Sequence, residues 1–592
     1  MADKRVRLPT LLQRPSTDSE LEDPGSPGTR KSKILQEKTP TYFDSKAFTP
    51  SRKNAEISRR YDIADKDIGH GSCGKVFLAR DKEVRERMVA IKKVIVTNED
   101  KKHAFLAEAE IMKDLDHPNI CKLLETYDQG DHMFFVMEYC EGGELFDQIM
   151  ATGYMAESIT AKFARQTASA LLYAHNRGIA HRDLKPENVC LCSSVVAYTD
   201  VKLIDWGLAH YFSRSRMSRA IGTMDYAAPE VFEATDDDCY TASCDIWSLG
   251  VMIYVMLCGK PPFWGSYPER VTRMRMERFP MRDSTWQQIS PAAKSLIRDL
   301  LRFDPSQRLQ LEHVLQSPWL SQKGLQPSID PAIAGEVLQN LHQFSNTSRF
   351  FSICVASIAR QLDHHKLQDI HKVFLEMDTN CDGVLELHEI RDGFHRVFGS
   401  ESQQAQDVET LFASLDLDGS GSIDYTEFCA AGLGERMIEE EDVLWAAFKA
   451  FDVQDRGKVS KEEVKQVLLS GSLCEASIGE MAEEIFEQFD EDGDGSLDFQ
   501  EWLSLIRESA SRPRQLQIAD LGSSLVKGDA KKAFSILSKM QCQAQSSSNI
   551  STESTASSST DLRTQRTESE GSSLRQSVLR FLLPFKSFPC MR

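Results

Sequence analysis

Three glycines spaced G-x-G-x-x-G run through Gly69-His70-Gly71-Ser72-Cys73-Gly74, with Lys75 and Val76 behind them. Residues without a Cβ tolerate positive φ and let backbone N–H groups approach phosphate oxygens, so this loop suits phosphate binding; a turn-rich hairpin would use the same residues. Eighteen residues after Gly74, Lys92 closes the β-type run Val89-Ala90-Ile91-Lys92, where a plain surface lysine is the bland alternative. Then come His181-Arg182-Asp183-Leu184-Lys185-Pro186-Glu187-Asn188, Asp205-Trp206-Gly207 and Ala228-Pro229-Glu230. Each motif is weak alone. Five in this order and at these separations make coincidence negligible, and together they point to phosphoryl chemistry done by positioning and charge neutralisation.

A second constellation points to cations. Asp378, Asn380, Asp382, Val384, Glu386 and Glu389 stand at positions 1, 3, 5, 7, 9 and 12 of one loop, with Gly383 at position 6. That is the EF-hand spacing: side-chain oxygens and the position-7 carbonyl surround Ca²⁺, the glycine makes the turn, and the last Glu binds through both oxygens. Asp416, Asp418, Ser420, Ser422 and Glu427 repeat it, as do Asp490, Asp492, Asp494, Ser496 and Glu501. The loop 452–463 departs, because Arg456 puts a cation where a ligand oxygen belongs. It is expected to keep its shape and stay empty, leaving three Ca²⁺ sites. Leu385, Ile423, Val459 and Leu497 hold position 8 of the four loops and suit a short strand pairing of two hands.

The elements that must position these residues follow from composition. The 592 residues carry 70 Lys and Arg against 89 Asp and Glu. Between Asp363 and Ala510 there are 36 acidic and 11 basic residues, so this segment holds more than all of the net charge of −19. No basic stripe with aromatic spacing supports nucleic-acid binding. Fourteen cysteines without a C-x-x-C pair argue against a disulfide scaffold or zinc ribbon and fit a reducing compartment. No signal peptide or membrane-spanning run is seen, and Ala2 stands where N-myristoylation needs Gly, so a cytoplasmic protein is expected. Residues 1–58 read as a disordered extension, 61–320 as one globular unit, 325–362 as a helical junction, and 363–435 and 436–510 as two EF-hand pairs. Residues 511–592 read as a disordered tail, with 16 Ser or Thr among the 28 residues from Ser546 to Ser573. The tail's end, including Arg580, Phe581, Leu582, Leu583, Phe585, Lys586 and Phe588, suits contact with a membrane surface or partner, or a strand packed on the globular unit.

Residues 61–320 resemble the eukaryotic protein kinase catalytic domain, and Lys185 in R-D-L-K-P-E-N resembles the Ser/Thr branch. The resemblance implies that Lys92 holds the α- and β-phosphates of ATP, with Glu108 as its partner and Glu110 as second choice. It implies that Asp183 accepts the substrate hydroxyl proton, Lys185 neutralises the moving phosphoryl group, and Asn188 and Asp205 hold Mg²⁺. Ile68, Gly69, Gly71, Gly74 and Val76 would cover the nucleotide; Val76 and Ala90 would sandwich adenine. Met137 would be a bulky gatekeeper intolerant of enlarged inhibitors, with the Glu138 and Cys140 backbones bonding the base. Glu144 and Glu187 lie where related kinases read a basic residue upstream of the phosphoacceptor; a ribose contact is the other reading of Glu144. Two departures stand out. D-W-G replaces D-F-G, and Arg219 stands where many kinases carry an activating Thr, although Ser213, Ser215 and Ser218 are near.

Kinase, helical junction and four EF-hands in this order resemble the calcium-dependent protein kinases of plants and protists over about residues 61–505. The expected fold is therefore multidomain α+β: a bilobal protein kinase followed by an all-α four-EF-hand domain, with disordered N- and C-terminal tails. Val337, Leu338, Leu341, Phe344, Phe350, Ile353, Ile358 and Leu362 give the junction apolar stripes, with Arg349 and Arg360 beside them, suited to an EF-hand groove. By the likeness, this is a Ser/Thr kinase that the junction inhibits at rest and Ca²⁺ releases. The rival is a Ca²⁺-dependent binding scaffold with a silent kinase fold.

Overall fold

The computed structural model describes residues 48–511, except 72–73, 85–86, 197–198, 219–220, 235–238, 283, 322–329, 348, 434–440, 470–481 and 484. Runs rich in Val, Ile and Phe form six strands: β1 Ser51–Lys53, β2 Tyr61–Gly71, β3 Gly74–Asp81, β4 Met88–Ile95, β5 Leu123–Asp128 and β6 His132–Glu138. They make one sheet in the order β1-β5-β6-β4-β3-β2, antiparallel except where β1 joins β5 at the edge. Lys92 lies opposite Val76 on one side and Phe135 on the other, and Ala90 lies opposite Met137. Strand alternation puts all five on the same face of the sheet.

The helix Glu99–Asp114 starts at Asn98, whose side chain accepts from the Lys101 N–H, with Glu99 and Asp100 favourable in its first turn. Phe105, Glu108, Ala109 and Met112 are buried at helical spacing, and the Phe105 ring stacks on Phe135 at 4.0 Å. Glu108 therefore lies on the inward stripe and Glu110 off it. The larger helical lobe is built round Ser243–Cys258, which is buried over Cys244–Leu257 and apolar on nearly every side. Glu230 accepts two bonds from Arg308, of 2.5 and 2.7 Å, and this pair supports the lobe.

The helical junction consists of two helices, Pro331–Phe344 and Arg349–Gln361. Ser345 Oγ and Asn346 Nδ2 both donate to the His342 carbonyl, and Thr347 Oγ1 donates to that of Phe344. Three short polar side chains competing for the last carbonyls end the first helix. Val337, Leu338, Leu341, Phe344, Ile353, Ile358 and Leu362 are all buried, in one core with Phe374, Leu411, Phe448 and Phe486 of the hands. Phe350 and Arg349 have side chains outside the described ones.

Each hand's entering helix runs directly into its loop. Leu385 and Ile423 exchange two backbone bonds of 2.8 and 2.9 Å, and Val459 pairs with Leu497, as position 8 of the loops predicts. The expected N-terminal tail ends early: Phe48 is buried in the junction and EF-hand core, and Arg52 in β1 is 1% exposed. Their partners lie far along the chain, where local composition carries no sign of them. Among the described residues no helix is long and apolar enough to cross a membrane.

Candidate active site and cation loops

Gly69 and Gly71 lie in β2, and Gly74 opens β3 opposite Gly71. A Cβ on Gly74 would sit 2.2 Å from the Lys93 carbonyl oxygen, so this glycine is required by the approach of β4. Ile68 is exposed, Val76 and Met137 are half-buried and Ala90 is buried. Lys92 Nζ meets Glu108 Oε1 at 2.6 Å and Asp205 Oδ1 at 2.8 Å. Burial opposes its charge, but Glu108 and Asp205 hold the ammonium above the usual lysine range. The second-choice partner, Glu110, instead faces outward to Arg214 at 2.8 Å. The Glu138 side chain points away from the cleft, to Lys202 Nζ at 2.8 Å and the Lys122 N–H at 2.6 Å. Burial works against that carboxylate too, yet Lys202 and Lys122 hold it below its usual range.

The catalytic-loop residues converge. Asp183 Oδ2 accepts from Lys185 Nζ at 2.6 Å and Asn188 Nδ2 at 3.1 Å, and its Oδ1 accepts from Thr223 Oγ1 at 2.7 Å. Lys185 Nζ also donates to Thr223 Oγ1 at 2.8 Å. Sequence reasoning passed over Thr223; its only signal is a hydroxyl residue directly after Gly222 and shortly before Ala228-Pro229-Glu230. Asp245, fully buried on the central helix, accepts from the backbone N–H groups of His181 and Arg182, each at 2.8 Å. Asp205 and Arg182 both hold positive φ, at 57° and 66°, a conformation that this anchored loop imposes on non-glycine residues.

Trp206 is fully buried, its ring 4.7 Å from His181 in an edge-to-face contact. The larger ring is thus accommodated inward, beside an Asp205 still joined to Lys92. Arg182 donates to the Leu208 carbonyl at 2.7 Å and to Tyr240 Oη at 3.3 Å, neutral partners within the fold. Arg219 lies outside the described residues. Ser213 and Ser215 are exposed, and Ser215 Oγ is 2.8 Å from His210 Nε2. Burial and the neighbouring Asp147 and Glu187 carboxylates lift Glu144. Burial likewise lifts Glu187, whose Oε2 is buried without a hydrogen-bond partner.

The cation loops divide into two kinds. In the first, second and fourth, Oδ2 of Asp378, Asp416 and Asp490 accepts the N–H of Gly383, Gly421 and Gly495, at 3.0, 3.1 and 2.9 Å. Oδ1 of all three aspartates is buried with no hydrogen-bond partner. An orphaned carboxylate oxygen aimed into an acidic loop is what a Ca²⁺ ligand requires. In the third loop both oxygens of Asp452 are taken: Oδ1 accepts from the Arg456 N–H at 2.8 Å, and Oδ2 from the Gly457 N–H at 2.8 Å and Lys449 Nζ at 3.2 Å. The Arg456 guanidinium reaches the position-12 Glu463 at 2.8 Å. Two side-chain cations fill this loop from within.

The EF-hand and junction unit rests on the kinase away from Asp183. Arg52 donates from Nε to Glu125 Oε2 of β5 at 2.7 Å, and from its Nη atoms to the Asp452 and Lys449 carbonyls at 2.7 and 2.8 Å. It therefore ties the sheet to the C-terminal end of the helix Glu441–Phe451. Arg360 Nη1 meets Asp116 Oδ1 at 2.7 Å, Gln361 Oε1 accepts from Arg87 at 3.0 Å, and the Thr426 N–H donates to Asp116 Oδ2 at 2.8 Å. The first cation loop itself touches the kinase: Arg165 Nη2 donates to Cys381 Sγ at 2.7 Å, and Gly383 passes under the His117 ring.

The protein kinase domain family matches residues 63–320, and the EF-hand domain pair family matches 367–431 and 440–508. Over 456 residues the chain is 32% identical to calcium-dependent protein kinase 3 of Plasmodium berghei (strain Anka), covering 76% of this chain and 80% of that one. It is 32% identical to calcium-dependent protein kinase 5 of Plasmodium falciparum (isolate 3D7), covering 76% and 79%. Calcium-dependent protein kinase 19 of Arabidopsis thaliana is 30% identical over 474 residues, covering 78% and 83%.

Proposed function

The chain belongs to the calcium-dependent protein kinase family, and from this premise we propose how its own residues perform a Ca²⁺-activated Ser/Thr phosphoryl transfer from ATP. Asp183 orients the substrate Ser or Thr and accepts its hydroxyl proton; the 2.7 Å bond from the Thr223 hydroxyl supports its ability to hold such a group. Lys185, beside it, neutralises charge on the moving phosphoryl group. Lys92 holds the α- and β-phosphates and is itself held by Glu108. Asn188 and Asp205 are the ligands for Mg²⁺, which supplies charge neutralisation to the triphosphate. Glu144 and Glu187 favour a basic residue upstream of the phosphoacceptor, supported by a carboxylate oxygen on Glu187 that is buried and unpaired.

The first, second and fourth loops bind Ca²⁺ and the third does not, supported by the orphaned Oδ1 atoms of Asp378, Asp416 and Asp490 against the saturated Asp452. The arrangement described is the released, active one. One observation carries this: the Lys92–Glu108–Asp205 triad is closed while the junction is enclosed by the hands. Its polar contacts to the kinase run to Arg87, Asp116 and Lys122, not to Asp183 or Lys185. Ca²⁺ then activates by favouring this enclosed junction over one that blocks the kinase. Arg182, engaged by Leu208 and Tyr240, supports activation without a phosphorylated loop. The expected contact of the C-terminal tail with a membrane or partner falls on residues outside the described ones.

The test is transfer from ATP-Mg²⁺ to a basic Ser/Thr peptide, with free Ca²⁺ buffered from nanomolar to about 100 µM across the sensor range, beside Asp183→Asn. Steep Ca²⁺ dependence that vanishes in the variant is expected. Equal activity in chelator would overturn the regulatory part, and no transfer at any Ca²⁺ level would leave the scaffold with a silent kinase fold.

A further inference from the structure

Asp200, His364 and His371 meet at the seam between the kinase and the EF-hand unit. Asp200 precedes the kinase strand Val201–Leu203, His364 follows the second junction helix, and His371 lies on the first EF-hand helix, Gln368–Met377. Asp200 Oδ2 stands 3.5 Å from His364 Nε2 and 3.4 Å from His371 Nε2, and the three donor atoms lie within 4.8 Å of one another. These separations are long for N–H···O bonds. His371 is 1% exposed, yet its Nε2 is buried with no hydrogen-bond partner.

Four-coordinate Zn²⁺ with bonds of about 2.0–2.1 Å has ligand-to-ligand edges of about 3.4 Å. We propose that Asp200, His364 and His371 form a Zn²⁺ site, with water as fourth ligand. His364 and Asp200 are partly exposed and give that water its access. Outer contacts orient the donors. Asp200 Oδ1 accepts from Gln166 Nε2 at 2.6 Å and faces Lys162 Nζ at 3.0 Å, leaving Oδ2 for the metal, and His371 Nδ1 faces the Tyr425 hydroxyl at 3.4 Å. Two imidazole nitrogens suit Zn²⁺ and not the oxygen-seeking Ca²⁺, so the site is chemically distinct from the EF-hand loops. One ligand comes from the kinase and two from the junction and first EF-hand helix, so the ion fastens the docked arrangement. By linkage, Ca²⁺ loading that favours docking tightens Zn²⁺ binding, and Zn²⁺ lowers the Ca²⁺ needed for activity. That last consequence rests on reading the docked arrangement as the active one; the site does not.

Full-length protein held at saturating Ca²⁺, so that the EF-hands are filled, is titrated with Co²⁺ as a spectroscopic stand-in for Zn²⁺. One equivalent with tetrahedral ligand-field bands, no thiolate charge-transfer band, and displacement by Zn²⁺ is expected. His364→Gln should remove the bands and weaken Zn²⁺ by more than the roughly 10–100-fold that loss of an outer partner costs. Asp200→Asn is the second variant, and Ca²⁺ binding serves as the folding control for both. Absence of the bands in the wild type, or their persistence unchanged in both variants, overturns the site.

Discussion

Arg52 offers the sharpest test of how the two halves of this kinase communicate. Arg52→Ala removes a buried guanidinium that bonds Glu125 on the kinase sheet and the Lys449 and Asp452 carbonyls beside the third EF-hand loop. Breaking a buried ion pair costs about 3–5 kcal/mol. The lower end applies, because Glu125 keeps Arg60 at 3.2 Å, Tyr61 Oη at 2.6 Å and Tyr127 Oη at 3.1 Å. About 3 kcal/mol shifts the docked-to-undocked ratio roughly 150-fold. If the three loops proposed to bind Ca²⁺, those of Asp378, Asp416 and Asp490, act together, that ratio raises the activating Ca²⁺ midpoint by its cube root, about 5-fold. The assay is peptide phosphorylation against buffered free Ca²⁺, with thermal unfolding as the check on the fold. Arg52→Lys should fall between, since an ammonium cannot reach all three acceptors at once. A wild-type Ca²⁺ curve in Arg52→Ala would refute the claim that this contact stabilises the active state.

Glu108→Gln should lower kcat/KM by about 100-fold or more through loss of the Lys92 anchor, whereas Glu110→Gln should stay within about 1 kcal/mol of wild type, as an exposed pair does; steady-state kinetics separate the two. By calorimetry, Glu427→Gln should remove one of the Ca²⁺ ions bound per chain, while Glu463→Gln, in the loop closed by Arg456, should leave the count unchanged. Burial opposes the charge of Glu125, but Arg60 and Arg52 hold its carboxyl at about 2, against an ordinary 4.5. A depressed carboxylate stabilises fully above its unfolded value and loses that contribution as pH falls through its folded one. About 3 kcal/mol should therefore disappear between roughly pH 4.5 and 2. Urea unfolding should show that slope in the wild type and not in Glu125→Gln; parallel profiles would sink the assignment.

Wherever converging side chains are neighbours in the chain, the sequence already groups them. Lys92, Asp183, Lys185, Asn188 and Asp205 stand in short motifs, and each hand's ligands fit within one loop. Between Glu108 and Glu110 the resemblance gave only an order of preference; the stripe of Phe105, Glu108, Ala109 and Met112 in the folded helix places Glu108 inward. The helical character of the junction was legible from its apolar stripes, but its division into two helices was not, because that rests on the competition of Ser345, Asn346 and Thr347 for backbone carbonyls. Arg52 was beyond reach for another reason. Its surroundings in sequence are those of a disordered extension, and its acceptors lie 73 residues away at Glu125 and some 400 away at Lys449 and Asp452. Asp200, His364 and His371 share that property: no one-dimensional spacing brings a kinase loop beside an EF-hand helix.

The first EF-hand loop has the kinase as part of its wall. A Cβ on Gly383, which already holds φ +82°, would sit 2.1 Å from the His117 ring, and Cys381 takes a hydrogen bond from Arg165. Any rearrangement of this loop around an ion is felt by the kinase surface, and the free energy of that contact is added to, or taken from, the binding of the ion. The Ca²⁺ affinity of the excised EF-hand segment will therefore differ from that of the whole enzyme. The ratio of the two affinities measures how far docking on the kinase changes Ca²⁺ binding by the hands, so two binding titrations would bound the coupling without a single turnover.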